Sequence, residues 1–186
     1  MSRIAPLEQP FAPEVATLLA PMMPEGIPPI ALFRAFAHNP AMTTAMQPWG
    51  SYELSSRLSL TLREREIVID RTCARCGCEY EWGVHVAYFS ERAGLGAAQM
   101  RSLVDGGAGD ACWEPRERLL IRSVDALHEQ ADIDGALWDE LAAEFSAAQL
   151  LDLTMLSGWY HAISYVASAI RVSLEPWAPT FASVRG

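Results

Sequence analysis

The sequence predicts an all-α protein of one domain, and three observations carry that expectation. Apolar residues recur at helical spacing, and no stretch shows the period-two alternation of a half-buried strand. Helix-start signals recur as well. Thr61 with Glu64, and Ser146 with Gln149, are capping boxes, where a hydroxyl and the side chain three residues on satisfy free N–H groups reciprocally. Finally, 186 residues, 51% apolar and 20% charged, suffice for one core burying about 70% of the unfolded surface.

Residues 1–28 read as a proline-rich arm, with Pro6, Pro10, Pro13, Pro21, Pro24 and Pro28, and residues 29–186 as the helical domain. Such a density of proline excludes a long helix or central strand. A short helix from Glu14 to Leu19 fits between the prolines, and Phe11, Met22, Met23 and Ile27 favour an arm docked on the body or on a neighbouring subunit. Pro29 suits the first turn of a helix carrying Ile30, Leu32, Phe33 and Phe36, which ends before Asn39-Pro40. A short helix from Pro40 carries Met42, Met46 and Trp49, and His38 is expected at a helix end near solvent.

Two helices meeting at Gly77 follow, one from Leu62 to about Cys76 and one from near Cys78 to Gly94. Further helices are expected from Ala97 to Val104, from Pro115 onward with Leu119, Leu120, Val124 and Leu127 inward, and after Asp134 with Leu137, Trp138, Leu141 and Phe145. The tripeptides Arg63-Glu64-Arg65 and Arg116-Glu117-Arg118 take the same early position in their helices, a hint of an internal repeat. Cys112 is expected to pack, and His128 to complement a helix C-terminus. Ser146 opens the longest helix, to about Val172. Its stretch Leu153–Ile170 has no Asp, Glu, Lys or Arg, which touches the length of a membrane span. Ser157, Tyr160, His161, Ser164 and Ser168 make it too polar for lipid, so the helix is expected to be buried by its own domain and by a second copy, with His161 a satisfied core histidine. Pro176 and Pro179 end regular structure in the tail.

Lys and Arg total 14 against 23 Asp and Glu, a formal charge of −9, which argues against nucleic acid or an anionic membrane as partner. No secretory signal is expected from the proline-broken N-terminus. Three of the four cysteines fall between Cys73 and Cys78, which suggests a reducing, cytoplasmic setting rather than a disulfide scaffold.

The chemistry concentrates in Thr61–Arg92. On the second helix of that stretch Cys78, Glu81 and His85 fall in one sector at i, i+3 and i+7, with Trp82 and Phe89 beside them. Glu66 on the first helix shares a side with Ile69, Asp70 and Cys73 and can point into the same space. Burial would bring such acids toward neutral pH, where imidazole already titrates. Glu66, eleven residues, then Cys78-Glu79-Tyr80-Glu81-Trp82-Gly83-Val84-His85 resembles the signature of the carboxymuconolactone decarboxylase and AhpD-like alkylhydroperoxidase superfamily. Glu81 stands where the hydroperoxidase branch has its second cysteine, so the pattern looks more like the decarboxylase-like branch. The resemblance implies an AhpD-like helical bundle assembled as an intertwined homo-oligomer, self-association resting on the 147–172 helix.

Three chemistries stay open at this point. The first is acid–base work of the carboxy-lyase type on a small organic acid or lactone, with Glu66, Glu81 and His85 handling the proton and Tyr80 and Trp82 shaping the pocket. The second is a thiol peroxidase at Cys78, activated by the helix dipole, with Cys73-x-x-Cys76 as a displaced redox pair. The third is a zinc site drawing on Cys73, Cys76, Cys78 and His85. The expectation adopted is the first, with no cofactor and no metal, and a non-catalytic oligomeric protein stays open beside the three chemistries.

Overall fold

A computed structural model describes residues 2–24 and 26–185. Among them are ten α-helices and no strand: α1 (Pro13–Leu19), α2 (Ala31–Phe36), α3 (Pro40–Glu53), α4 (Leu62–Arg75), α5 (Glu79–Ala93), α6 (Ala97–Asp105), α7 (Pro115–Gln130), α8 (Gly135–Glu144), α9 (Ala147–Ile170) and α10 (Phe181–Arg185).

The caps explain several of these boundaries. Thr61 and Ser146 both form the expected capping boxes, and Asp134 accepts from Leu137 N to open α8. Gly77 and Gly94 both take φ 65°, a left-handed conformation that costs glycine little, and they break the chain on either side of α5. Three boundaries differ from expectation. Pro29 precedes the N-cap Ile30 rather than opening α2. The helix from Pro40 runs for 14 residues, with Pro48 inside it. The tail carries a short helix, α10, whose first N–H groups gain a partner because Glu79 Oε1 accepts from Phe181 N at 2.7 Å.

Helix α4 is the axis of the domain and packs against α5, α6, α7 and α9. Ile67, Val68, Ile69 and Cys73 on α4 are fully buried, together with Trp82, Leu120, Ile121, Leu153 and Leu156 from the surrounding helices. Each such large side chain contributes about 1.5–3 kcal/mol by leaving water. The two matching tripeptides meet in the structure. Arg63 of α4 pairs with Glu117 of α7, and Arg116 of α7 pairs with Glu64 of α4 at 2.7 Å, so the two tripeptides clasp reciprocally.

Two outer segments close the body. The N-terminal arm lies on its own chain, with Leu7 N donating to Arg34 O, Gln47 Nε2 donating to Leu18 O and Leu19 buried. The C-terminal tail crosses α5. Glu175 Oε1 accepts from Tyr80 Oη at 2.8 Å and from Ala31 N at 2.6 Å, while Phe181 packs on Trp82 at 5.1 Å between ring centroids. Helix α9 is buried along one side, but Leu151, Met155 and Tyr165 are 68%, 45% and 66% exposed. No helix among the described residues is long and apolar enough to cross a membrane.

Candidate functional site

The turn at Gly77 folds α5 back along α4, which carries Glu66 and His85 into contact although nineteen positions separate them. Glu66 Oε2 accepts from His85 Nδ1 at 2.8 Å, and Glu66 Oε1 accepts from Arg65 at 2.6–2.7 Å. Glu66, Arg65 and His85 are all buried, and Arg65 is further held by Leu54 O at 3.0 Å. A carboxylate acceptor at Nδ1 fixes the imidazole proton there and leaves Nε2 as an acceptor. The hydroxyl of Tyr160, from the middle of α9, donates to that Nε2 at 2.9 Å. Tyr160 is kept in its hydroxyl form because burial, then the charges of Glu81 and Glu66, push its pKa well up. The result is a chain of contacts from Arg65 through Glu66 and His85 to Tyr160.

Glu81, one turn before His85 on α5, stands apart from that chain. Its Oε1 lies 3.7 Å from His85 Nε2, beyond hydrogen-bond range, and its Oε2 is buried with no partner. Burial pushes the carboxyl above the usual glutamate range, partly offset by His85. A protonated carboxyl is the form that such surroundings favour.

Glu81, His85 and Tyr160 line a cavity of about 470 Å³. Its walls come from α2, α3, α5 and α9, with Phe33, Phe36, Met46, Phe89, Trp159 and Ile163 making them largely apolar, and Pro21–Pro24 of the arm along one side. Arg92 is the cationic group among the described residues lining it. The face of α5 that meets the cavity is Glu81, Val84, His85, Tyr88, Phe89 and Arg92, a helical stripe.

The other residues singled out in the sequence go elsewhere. Tyr80 and Trp82 do not line the cavity, because one position either side of Glu81 turns a side chain about 100° away. Tyr80 instead ties α2 to the tail, accepting from Leu32 N at 3.0 Å, and Trp82 is core. Cys78 is the N-cap of α5, yet it is buried outside the cavity wall, and burial pushes its thiol up, outweighing the hydrogen bond from the Glu81 backbone. That direction runs against the thiolate character expected at a helix N-terminus. Cys73 is also pushed up by burial, and all four cysteines are free. The four-ligand set Cys73, Cys76, Cys78 and His85 does not gather: among the described residues, Cys76 is the member of that set whose ligand atom comes within metal-ligand spacing of two others, and those are His128 and His161. His128 is no simple dipole partner. Burial and then the neighbouring His161 and Arg75 push its pKa down, away from the cationic form. Tyr160 and Arg65 complete the network without having been assigned from sequence, and with Tyr165 on the same helix nothing in the sequence singled out Tyr160.

An all-helical domain with a buried acid, an oriented imidazole and an apolar cavity is thereby defined. No family model matches the sequence, and no curated protein matches it. Solved structures do match its fold. An uncharacterized peroxidase-related protein from Silicibacter sp. TM1040 superposes with a TM-score of 0.79 at 18% identity, over 92% of this chain and 90% of that one. The alkylhydroperoxidase AhpD core of an uncharacterized peroxidase-related protein from Ralstonia eutropha JMP134 gives 0.80 at 16% identity, over 98% and 97%. The debrominase Bmp8, as a cysteine-to-alanine variant in complex with 2,3,4-tribromopyrrole, gives 0.77 at 14% identity, over 94% and 92%. The chain has the AhpD-like fold, and at these identities the fold is what is shared.

Proposed function

We propose that this chain is an acid–base enzyme of the carboxy-lyase type, acting on a small, largely apolar organic acid or lactone. One observation carries the reading: Glu81 is a buried carboxyl held toward its neutral form on the wall of an apolar cavity. Breaking the bond to a carboxylate in a substrate with an adjacent carbonyl leaves the electron pair on carbon, delocalised into that carbonyl, as carbon dioxide departs. The carbon then takes the proton of Glu81, and Glu81 recovers one from water. An apolar wall disfavours the departing carboxylate's charge, and Arg92 recruits the anion at the cavity edge. His85, oriented by Glu66 at Nδ1 and accepting from Tyr160 at Nε2, fixes the polar wall of the cavity beside Glu81 and sets the field in which the proton is transferred. The tribromopyrrole complex of the debrominase neighbour supports a small ring as the occupant.

Peroxide reduction at Cys78 is the second reading, favoured by the peroxidase-related names of two neighbours. The elevated thiol and its separation from the cavity weigh against it. Self-association rests on the outward apolar residues of α9. The deciding experiment offers carboxylated aromatics and lactones to purified protein and follows carbon dioxide release. Activity lost in Glu81→Gln and in His85→Ala supports the assignment; rates unchanged in both variants remove it.

A further inference from the structure

A second cluster of chemically competent side chains lies outside the cavity. Cys76 caps the C-terminus of α4, His128 sits in the last turns of α7, and His161 lies in the middle of α9. Their ligand atoms all fall within 4.8 Å of one another, and all three residues are half-buried. His128 Nδ1 is 2.9 Å from His161 Nε2 and 4.0 Å from Cys76 Sγ. None of the three lines the cavity.

We infer that Cys76, His128 and His161 form a binding site for a thiophilic divalent cation of the zinc type. The hydrogen bonds favour it. His161 Nδ1 meets Ser157 O at 2.9 Å, and a carbonyl can only accept, so the proton is on Nδ1 and the Nε2 lone pair faces the cluster. This is the arrangement by which proteins orient a ligating histidine. A tetrahedral zinc with bonds of about 2.0–2.3 Å holds its ligand atoms roughly 3.3–3.7 Å apart, so side-chain rotations of an ångström or less suffice. Binding displaces the Cys76 thiol proton, and the His128 Nδ1 proton moves to Nε2. One thiolate and two imidazoles select zinc, cobalt or copper over magnesium or calcium, and partial exposure leaves a fourth position for water. Arg75 places positive charge beside the cluster, but it is engaged by Glu129 at 2.6 Å and by Asp125 at 3.5 Å. Because the three ligands come from three helices, the cation would also clamp α4, α7 and α9 together.

The test titrates untagged, chelator-treated full-length protein with cobalt(II). The expected result is one cobalt per chain with a thiolate-to-cobalt charge-transfer band, displaced by one equivalent of zinc, and a melting temperature raised by several degrees. Cys76→Ser removes the band, and His161→Ala weakens binding at least tenfold, while Cys78→Ser and Cys112→Ser leave it intact. Thermal melts of the metal-free variants establish that they fold. Absence of a thiolate band in the wild-type chain, or a band that survives Cys76→Ser, overturns the inference.

Discussion

Glu66 accepts from Nδ1 of His85 at 2.8 Å, both side chains buried between α4 and α5, and its other oxygen holds the Arg65 guanidinium. The charge of Glu66 is therefore the compensation for a buried arginine as well as the orienter of an imidazole. Glu66→Gln leaves Arg65 without a counter-ion, and removing one partner of a buried pair costs about 3–5 kcal/mol. Glu81→Gln replaces a carboxyl already inclined to be neutral, so its cost is within about 1 kcal/mol. Urea denaturation of the two variants at neutral pH checks the contrast; equal costs would break the link between Glu66 and Arg65.

Gly83 faces the tail rather than the cavity, and a Cβ there would collide with the Pro179 carbonyl oxygen and crowd Ala178. The backbone at Pro179 cannot rotate aside as a side chain could. Gly83→Ala is thus expected to cost about 1–3 kcal/mol and to loosen the crossing of residues 171–185 over α5. Limited proteolysis reads this directly, as faster cleavage near Trp177 than in the parent chain.

Much of the architecture was legible because its signals are local. Thr61 with Glu64, Asp134, and Ser146 with Gln149 each announce a helix within four residues, and the structure uses every one. Glu66 and His85 were legible through one turn, since Gly77 makes their helices neighbours. Tyr160 was not, because its partner His85 is 75 positions away and nothing in α9 marks which side chain turns inward. Trp82 and Tyr80 misled for a similar reason. Aromatic neighbours of a polar residue on a helix point in other directions, and which of those directions is cavity or core is set by the tail and by α2. The cluster of Cys76, His128 and His161 joins three separated helices, so spacing along the chain held no trace of it.

On α9 the residues Leu151, Met155 and Tyr165 remain exposed on an otherwise buried helix. If a second copy covers that face, Leu151→Glu places a charge in an apolar contact and shifts the assembly toward smaller species, weakening association at least tenfold. Sedimentation velocity over a concentration series measures this. A wild-type chain that stays monomeric at every concentration tested would remove α9 as an interface.

Asp70 is fully buried on α4, one turn from Glu66, and its Oδ1 has no partner. Burial first and the Glu66 charge second push its pKa well above the usual aspartate range. A carboxyl with a raised folded pKa contributes stability that is complete below its unfolded pKa and is lost as pH rises through the folded one. Asp70→Asn removes that loss. The variant should gain on the wild-type chain as pH rises from about 4 upward, and chemical denaturation at a series of pH values checks the sign. Glu53 and Glu81 are raised by burial in the same direction, so the wild-type slope is reduced by this substitution and not abolished.

The two proposed chemistries respond to pH with opposite sign. Proton donation needs Glu81 protonated, and burial extends that form above the ordinary glutamate range, so kcat/KM is highest on the acid side and falls as pH rises through the folded pKa of Glu81. Peroxide reduction needs the Cys78 thiolate, and burial pushes that thiol up, so its rate would climb toward alkaline pH. Glu81→Gln should cost about a hundredfold or more in kcat on the acid limb, and Cys78→Ser should leave the profile unmoved. Carbon dioxide release and peroxide consumption, followed on one preparation from about pH 5 to about pH 9, separate them. A rate that increases with pH and vanishes in Cys78→Ser would transfer the chemistry from the carboxyl to the thiol, because no placement of a proton on Glu81 produces that slope.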